Sequence, residues 1–384
     1  MADVFAVAEM LVAHARRFYG DEVGIVVYYG SHARGTASPT SDLDLYFVPD
    51  SRRAYPLGTQ FVLDGLPYDF WPVSWTMIEE IAQARGERPF SVAAALVGQA
   101  RLLYARSPAD QARFEQAQAD LAGLLGEEKR PFMHQRALAA FKQVAFEGTQ
   151  LQRAVAGGDA ASVEWSRWQL VNAAANSLAL AAQRYFSKGW GANLPEVLAL
   201  PNAPAGWQEL VGGVLNAPKD TVLAFAEGLV AGVRQVLLAG QREVGERETA
   251  VSLFQDFYFF VFEYKNKVLA ACQRGDAMTA RYAAAQLQQE ISAMLNKVDA
   301  GFLGEPFNLL GEYGVGYETA EFPDLLAVAA RGDLVVLAER VQQLDNQMQV
   351  WLTAQGVALN VLADAEVLQR FLLQRLPPAT KPLP

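Results

Sequence analysis

From Val4 to Tyr19 apolar residues recur at three- and four-residue spacing, which predicts an amphipathic helix, and Gly20 follows where a left-handed residue would close it. The period then changes. Val23 to Tyr29 is a continuous β-branched and aromatic run that predicts a strand, and Leu43 to Val48 predicts a second, stopped by Pro49. Gln60–Leu63 and Leu66–Val73 flank Asp64-Gly65, a pair suited to a hairpin turn. Trp75 to Arg85 returns to helical spacing, Ala100 to Ala105 is a short strand, and Ser107-Pro108 supplies an N-cap and a first-turn proline for another helix. These elements predict a small α+β domain over residues 1–125.

After the charged run 126-GEEKRP-131 strand signals vanish, and long alanine- and leucine-rich segments predict an all-helical remainder. Three junctions, 156-AGGDAAS-162, 273-QRGDAMT-279 and 330-ARGDLVV-336, share one design: glycine ends one helix in the left-handed conformation and aspartate caps the next. A fourth, 216-NAPKDTV-222, uses Pro and Asp for the same purpose. Asp159 and Asp276 are 117 positions apart and Asp220 and Asp333 are 113 apart, so residues 129–240 and 250–357 are expected to be two copies of one helical-bundle unit. The expected division is 1–125, 129–240, 250–375 and a disordered, proline-rich tail, 376–384. The RGD tripeptides fall in these junctions, where helix capping explains them better than adhesion. The cluster 257-FYFFVFEY-264 has helical apolar spacing and predicts a buried helix rather than a platform for stacking bases. The charged stretch 241-QREVGERET-249 reads as a solvated linker or helix end.

Composition narrows the function classes. At 384 residues with 52% hydrophobic content the chain can build two or three cores, which excludes a disordered protein. A net charge of -10 argues against a large nucleic-acid footprint and tolerates cationic small molecules and divalent ions. A single cysteine, Cys272, forms no intrachain disulfide, fits a reducing compartment and sits at a core spacing. The N-terminus has no positive n-region or cleavage site, and no apolar run approaches the roughly 20 residues of a membrane span. A cytoplasmic location without membrane contact is expected.

Chemistry concentrates in 29-YGSHARGTASPTSDLDLYF-47. Aspartate is a poor strand former, yet Asp42 and Asp44 stand at the start of the second strand. Two apart on an extended chain, their side chains point to one face and can reach one hard cation. Gly30 lets backbone amides approach an anion closely, and the Ser31 hydroxyl adds a donor, so a phosphate can rest there. Magnesium takes oxygen ligands and keeps phosphate oxygens among them, which makes this pairing a metal-nucleotide site. In 61-FVLDGLPYDFWPVSW-75, Asp69 lies in an otherwise apolar strand, where an unpaired charge is costly, and is the third carboxylate; Asp64 belongs to the turn. Aligned with the first pair, it would let two metal ions bracket an in-line displacement at phosphorus.

Gly30-Ser31, ten residues, Asp42-x-Asp44 and then Asp69 on a later strand resembles the nucleotidyltransferase superfamily that includes DNA polymerase beta. The continuation 67-PYDFWPVSWTMIEEI-81 and the helical C-terminal part are similar to its antibiotic-modifying branch, the aminoglycoside nucleotidyltransferases, as is 180-LAAQRYFSKGWGANLPEVLAL-200 in layout. The specific motifs cover residues 23–105. The resemblance implies an α+β fold: a mixed nucleotidyltransferase sheet with helices, followed by an all-α region. It further implies that Gly30 and Ser31 hold the outer phosphates, that Asp42 and Asp44 ligate magnesium, and that Asp69 is a metal ligand, a general base, or both. Arg34 would assist the phosphates, and Lys188 matches a basic residue directed at the triphosphate. His32 reads as a loop residue. Glu147 could offer a base from across the cleft, although its echo in Phe262-Glu263 favours a scaffold role. Trp165, Trp168, Trp190 and Trp207 could line an acceptor pocket, with core packing as their default.

The expected function is magnesium-dependent transfer of a nucleoside monophosphate, from ATP or another triphosphate, to a hydroxyl of a small, cationic, aminoglycoside-like acceptor held between the α+β domain and the first helical unit. Two alternatives stand beside it: a nucleotide-binding regulatory protein without turnover, and a protein-modifying, AMP-transferring module of the antitoxin kind. A ribonuclease is not expected, because Arg130 and His134 have only three residues between them where four to six are required. The second helical unit is expected to form a homodimer contact, to cap the cleft or to bind something else.

Overall fold

The apolar runs Val23–Tyr29 (β1) and Leu43–Pro49 (β2) lie at the middle of a five-stranded sheet because both faces of each are covered: Val23, Ile25, Val26, Leu43, Leu45 and Phe47 are fully buried. The computed structural model describes residues 3–38, 41–86, 88–189, 191–255, 257–301, 317 and 319–374. The expected tail and Trp190 lie outside these residues.

Helix α1 (Val4–Tyr19), capped by the Asp3 carboxylate, lays Val7, Ala8 and Ala15 into a core shared with Val23, Val26 and Leu45. Gly20 is right-handed, at φ -53°, not left-handed as the spacing predicts. The chain enters β1 through a tight turn in which Glu22 N–H donates to the Tyr19 carbonyl at 2.9 Å. Glycine is needed there because a Cβ would approach the Arg16 carbonyl oxygen to 2.7 Å.

The short helix α2 (Gly30–Arg34) follows β1, and β3 (Thr59–Leu63) and β4 (Leu66–Pro72) form the expected hairpin, with Asp64 and Gly65 both at positive φ. The strand order is β3-β4-β2-β1-β5, with β5 being Arg101–Ala105. Among the described residues only β2 and β4 pair in parallel. Helix α3 (Trp75–Ala82) stops three residues short of the predicted Arg85 because Ala84 turns left-handed and Arg85 N–H closes on the Glu80 carbonyl. Two single turns, α4 (Phe90–Ala93) and α5 (Ala95–Gly98), precede β5. Helix α6 (Pro108–Leu124) begins as predicted, with the Ser107 hydroxyl accepting from Asp110 N–H.

Beyond residue 129 the described secondary structure is all helical. Helices α7 (Arg130–Gly157), α8 (Ala160–Ala181), α9 (Leu194–Leu198), α10 (Trp207–Asn216) and α11 (Val222–Val244) complete a first compact unit, Met1–Val244. The α+β part and the first helical group therefore form one unit across the charged run at 126–131, joined by Ser91 N–H to the Asn176 side chain (3.1 Å), Phe186 N–H to the Ser91 carbonyl (2.6 Å) and Gln183 to the Leu124 carbonyl. Helix α11 is long and apolar enough, by length and composition, to cross a membrane, which corrects the sequence expectation. Its stripe Val222, Ala226, Leu229, Val233 and Leu237 is buried, as in a bundle's core helix, while Glu227 is exposed and Arg234 half-buried on its other faces.

The second unit, Gly245–Pro384, contains α12 (Ala250–Phe254), α13 (Tyr258–Gln273), α14 (Ala277–Ala300), α15 (Leu325–Arg331), α16 (Leu334–Ala354) and α17 (Ala365–Gln374). Taken alone, and among its described residues, α13, α14, α15 and α16 have the same order of long, long, short and long as α7, α8, α10 and α11. Gly158, Gly275 and Gly332 are left-handed, and Asp159, Asp276 and Asp333 cap the helices that follow. The fourth junction is closed by the Pro218 carbonyl, which accepts from Thr221 and Val222 N–H. Residues 257–264 differ from the predicted buried helix: Phe257, Tyr258 and Val261 are buried, but Phe259, Phe260 and Phe262 are exposed, because one face of α13 alone packs on the unit's core. Cys272 is half-buried at the margin of that core.

Candidate active site

Asp44 is the centre of the candidate site. In β2 it pairs with Tyr29 of β1 on one side and with Asp69 of β4 on the other. Asp42 precedes β2 by one residue, and the alternation of half-buried Asp42 and Asp44 with buried Leu43 and Leu45 puts both aspartates on one face. Partial burial, then the charges of Asp42 and Asp69, push the Asp44 carboxyl up to about 6, with Arg34 opposing. Burial, Asp44 and the other two carboxylates also push the Tyr29 phenol well above its ordinary value, and its oxygen accepts from Trp71 Nε1 at 3.1 Å.

These carboxylates lie on one face of the sheet, on or just before the adjacent interior strands β2 and β4, but are not drawn into a closed cage. Among the described residues no three Asp, Glu, His or Cys side chains are grouped to hold one metal ion, which differs from the expected three-carboxylate set. Repulsion is one reason and Gln60 is another. Gln60 faces Asp69 across β3–β4 and donates to its Oδ1 at 3.1 Å, on the side away from Asp44. The donor set nonetheless suits a hard divalent cation that brings its own phosphate and water oxygens, because such an ion would relieve the crowding that raises Asp44.

Gly30 is fitted to this arrangement. Its φ is +74°, and a Cβ on it would overlap Asp44 Oδ2. The carboxylate thus lies against bare backbone at the start of α2. Gly30→Ala should cost about 1–3 kcal/mol from the left-handed backbone and displace Asp44, so the melting temperature should fall and the titration of the Asp44 carboxyl should move from about 6. An alanine variant that keeps wild-type values for both would show that this contact is incidental.

The other predicted residues divide. Ser31 lies in α2 beside Gly30, its carbonyl accepting from Thr36 N–H at 3.0 Å. Arg34 is near enough to act electrostatically on Asp44, but its Nη1 donates to the Ser187 carbonyl (2.6 Å) and to Gln99 (3.2 Å), so it braces a neighbouring segment rather than standing free for phosphates. Lys188 is exposed and makes no hydrogen bond or ion pair with the described residues. His32 belongs to α2 rather than to a loop and packs edge-on against Phe5. Glu147 is buried in α7 and accepts from Gln143 of its own helix at 2.6 Å, as a scaffold residue would. Trp207 is buried and donates to the Val197 carbonyl, whereas Trp165 and Trp168 are exposed on α8. Sequence reasoning missed Gln60, Tyr29 and Trp71. Gln60 has no signal within its own strand, since only its register against Asp69 reveals it.

Residues 114–243 match the family model described as the KNTase C-terminal domain. The matched segment runs from within α6 to the end of α11 and does not include the carboxylate strands. No curated protein matches the chain. Eight solved chains match it. One is the crystal structure of a nucleotidyltransferase-like protein from Exiguobacterium sibiricum 255-15, which is 12% identical over 65% of this chain and 84% of its own, at a TM-score of 0.35.

Proposed function

We propose that this chain, whose KNTase C-terminal domain match supports the nucleotidyltransferase superfamily, transfers a nucleoside monophosphate from a nucleoside triphosphate, preferably ATP, to a hydroxyl of a small acceptor and releases pyrophosphate. The observation that carries this reading is the placement of Asp44 in register with Asp69, next to Asp42 and against Gly30.

Asp42 and Asp44 would hold magnesium, with Asp69 completing the set when substrate is bound. Magnesium bound there would neutralise triphosphate charge and polarise the departing pyrophosphate. Gly30 and Ser31 receive the outer phosphates through backbone and hydroxyl donors. The acceptor oxygen forms a bond to the α-phosphorus as the bond from that phosphorus to the bridging oxygen breaks. Asp69 takes the hydroxyl proton: its Oδ1 is held by Gln60, and among the described residues Oδ2 has no hydrogen-bond donor. The acidic balance of the chain suits a cationic, aminoglycoside-like acceptor.

A labelled-ATP transfer assay over aminoglycosides and other polyhydroxylated amines tests this. Product carrying one added nucleoside monophosphate is expected, together with stoichiometric pyrophosphate; no transfer to any acceptor would remove the enzymatic reading. A second reading, a nucleotide-binding regulator without turnover, is favoured by the absence of a three-ligand group among the described residues. It predicts a magnesium-dependent rise in melting temperature with ATP and no pyrophosphate.

A further inference from the structure

The segment 185–189 leaves α8 and crosses the α+β part of the same unit, where it is held at successive residues. The Tyr185 ring meets Phe90 edge-on, Phe186 N–H donates to the Ser91 carbonyl, and a Cβ on Gly189 would lie 3.3 Å from Val92. The tightest point is Ser187. From one side Arg34 Nη1 donates to its carbonyl at 2.6 Å. From the other, the Glu196 carboxylate accepts from its N–H and its hydroxyl, both at 2.6 Å. All of the Ser187 polar groups are therefore bound, two of them by one carboxylate and the third by the guanidinium that also acts on Asp44. Charge-assisted bonds of this kind, in a fixed fork, hold a backbone more firmly than neutral ones. The next residue is Lys188, exposed and unpaired among the described residues.

We infer that Glu196 is a positioning residue for nucleotide binding: with Arg34 it clamps Ser187 so that Lys188 is presented, already ordered, to the triphosphate. This rests on the nucleotidyltransferase reading and adds a role that no catalytic motif contains. Glu196 itself touches no substrate. Its effect passes through Lys188, a long side chain whose charge contributes most when its backbone is fixed before binding. The clamp also explains why Arg34 is spent on a carbonyl rather than left for phosphate.

The test is a double-mutant cycle on the full chain, reading the dissociation constant of magnesium with an ATP analogue whose α–β bridge resists cleavage. Lys188→Ala should weaken binding roughly tenfold, the loss of one charge-assisted contact. Glu196→Gln offers one acceptor oxygen where Ser187 needs two and should weaken binding about three- to tenfold. In the Lys188→Ala background Glu196→Gln should add nothing, since the clamp would then have no charge to present. Additive losses would assign Glu196 a purely structural role, and wild-type affinity in Glu196→Gln would remove the clamp altogether. Ser187→Ala, which keeps the backbone bonds and loses only the hydroxyl, gives a milder variant should Glu196→Gln fold poorly; it should show a smaller loss with the same non-additivity. Failure of the wild-type protein itself to bind the analogue would overturn the underlying reading, a result distinct from the other three.

Discussion

Asp44→Asn should nearly abolish the proposed transfer while making the ligand-free protein more stable. Partial burial, and then the like charges of Asp42 and Asp69, hold the carboxyl of Asp44 at about 6 against an ordinary 3.8. Between those values the folded protein binds the proton more tightly than the unfolded chain, so stability falls as pH rises from about 4 to 6 and the penalty is fully present above 6. The neutral amide removes that penalty. Discounted for the water that still reaches the group, the gain is about 1–2 kcal/mol at neutral pH, or several degrees in melting temperature. The same change removes a candidate metal ligand and should lower kcat/KM on the order of 10³-fold. Wild-type activity should also rise with pH through the Asp44 titration, with bound magnesium moving the midpoint downward. Calorimetry and the transfer assay on one preparation check both halves. An Asn variant that is active, or that melts below wild type, would mean that Asp44 is not the strained centre of the site.

Asp345→Ala should produce the largest loss of stability in the second unit. Its carboxylate is buried between α13 and α16, accepting from Tyr258 Oη at 2.7 Å, Lys265 Nζ at 2.8 Å and Gln349 Nε2 at 3.3 Å. Lys265 is buried too, with its ammonium 3.6 Å from the centroid of the Phe262 ring. Truncating Asp345 strands that ammonium without its counter-charge, at a cost of about 3–5 kcal/mol. Replacing both partners with apolar residues, as in Lys265→Met with Asp345→Leu, should recover most of the loss, because no charge is then left unpaired. Denaturant unfolding of the full chain gives both numbers. A single variant costing under about 1 kcal/mol would show that water reaches the pair. Phe262-Glu263 and Phe146-Glu147 look alike in the sequence, yet the buried ion pair uses Lys265, two positions further on.

The local pattern carried a good deal of this. The helix at 4–19, the strands at 23–29 and 43–48, the latter running one residue further into Pro49, and the hairpin at Asp64-Gly65 follow from period and turn chemistry. The Gly-Asp junctions at 158–159, 275–276 and 332–333 were legible for the same reason: a left-handed residue and a capping carboxylate are written in adjacent letters. Gly20 shows the limit of such reasoning, since its need for glycine comes from the Arg16 carbonyl and not from its own φ. The exposed Phe259, Phe260 and Phe262 show another, because apolar spacing cannot say how much of a helix its neighbours cover.

The sequence alone determined where three carboxylates stand along the chain: Asp42 and Asp44 at the start of a strand that follows the glycine-serine segment, and Asp69 within a later apolar strand. The fold decided which of them meet. Asp44 and Asp69 are 25 positions apart and become neighbours only because β2 and β4 pair in parallel in one register, and the same pairing brings Gln60 to Asp69. Glu196 reaches Ser187, and Ser187 reaches Arg34, across 153 positions that no motif spans. Register and long-range contacts are set by the burial of whole faces against one another, a property of many residues at once, so no single stretch of sequence records them.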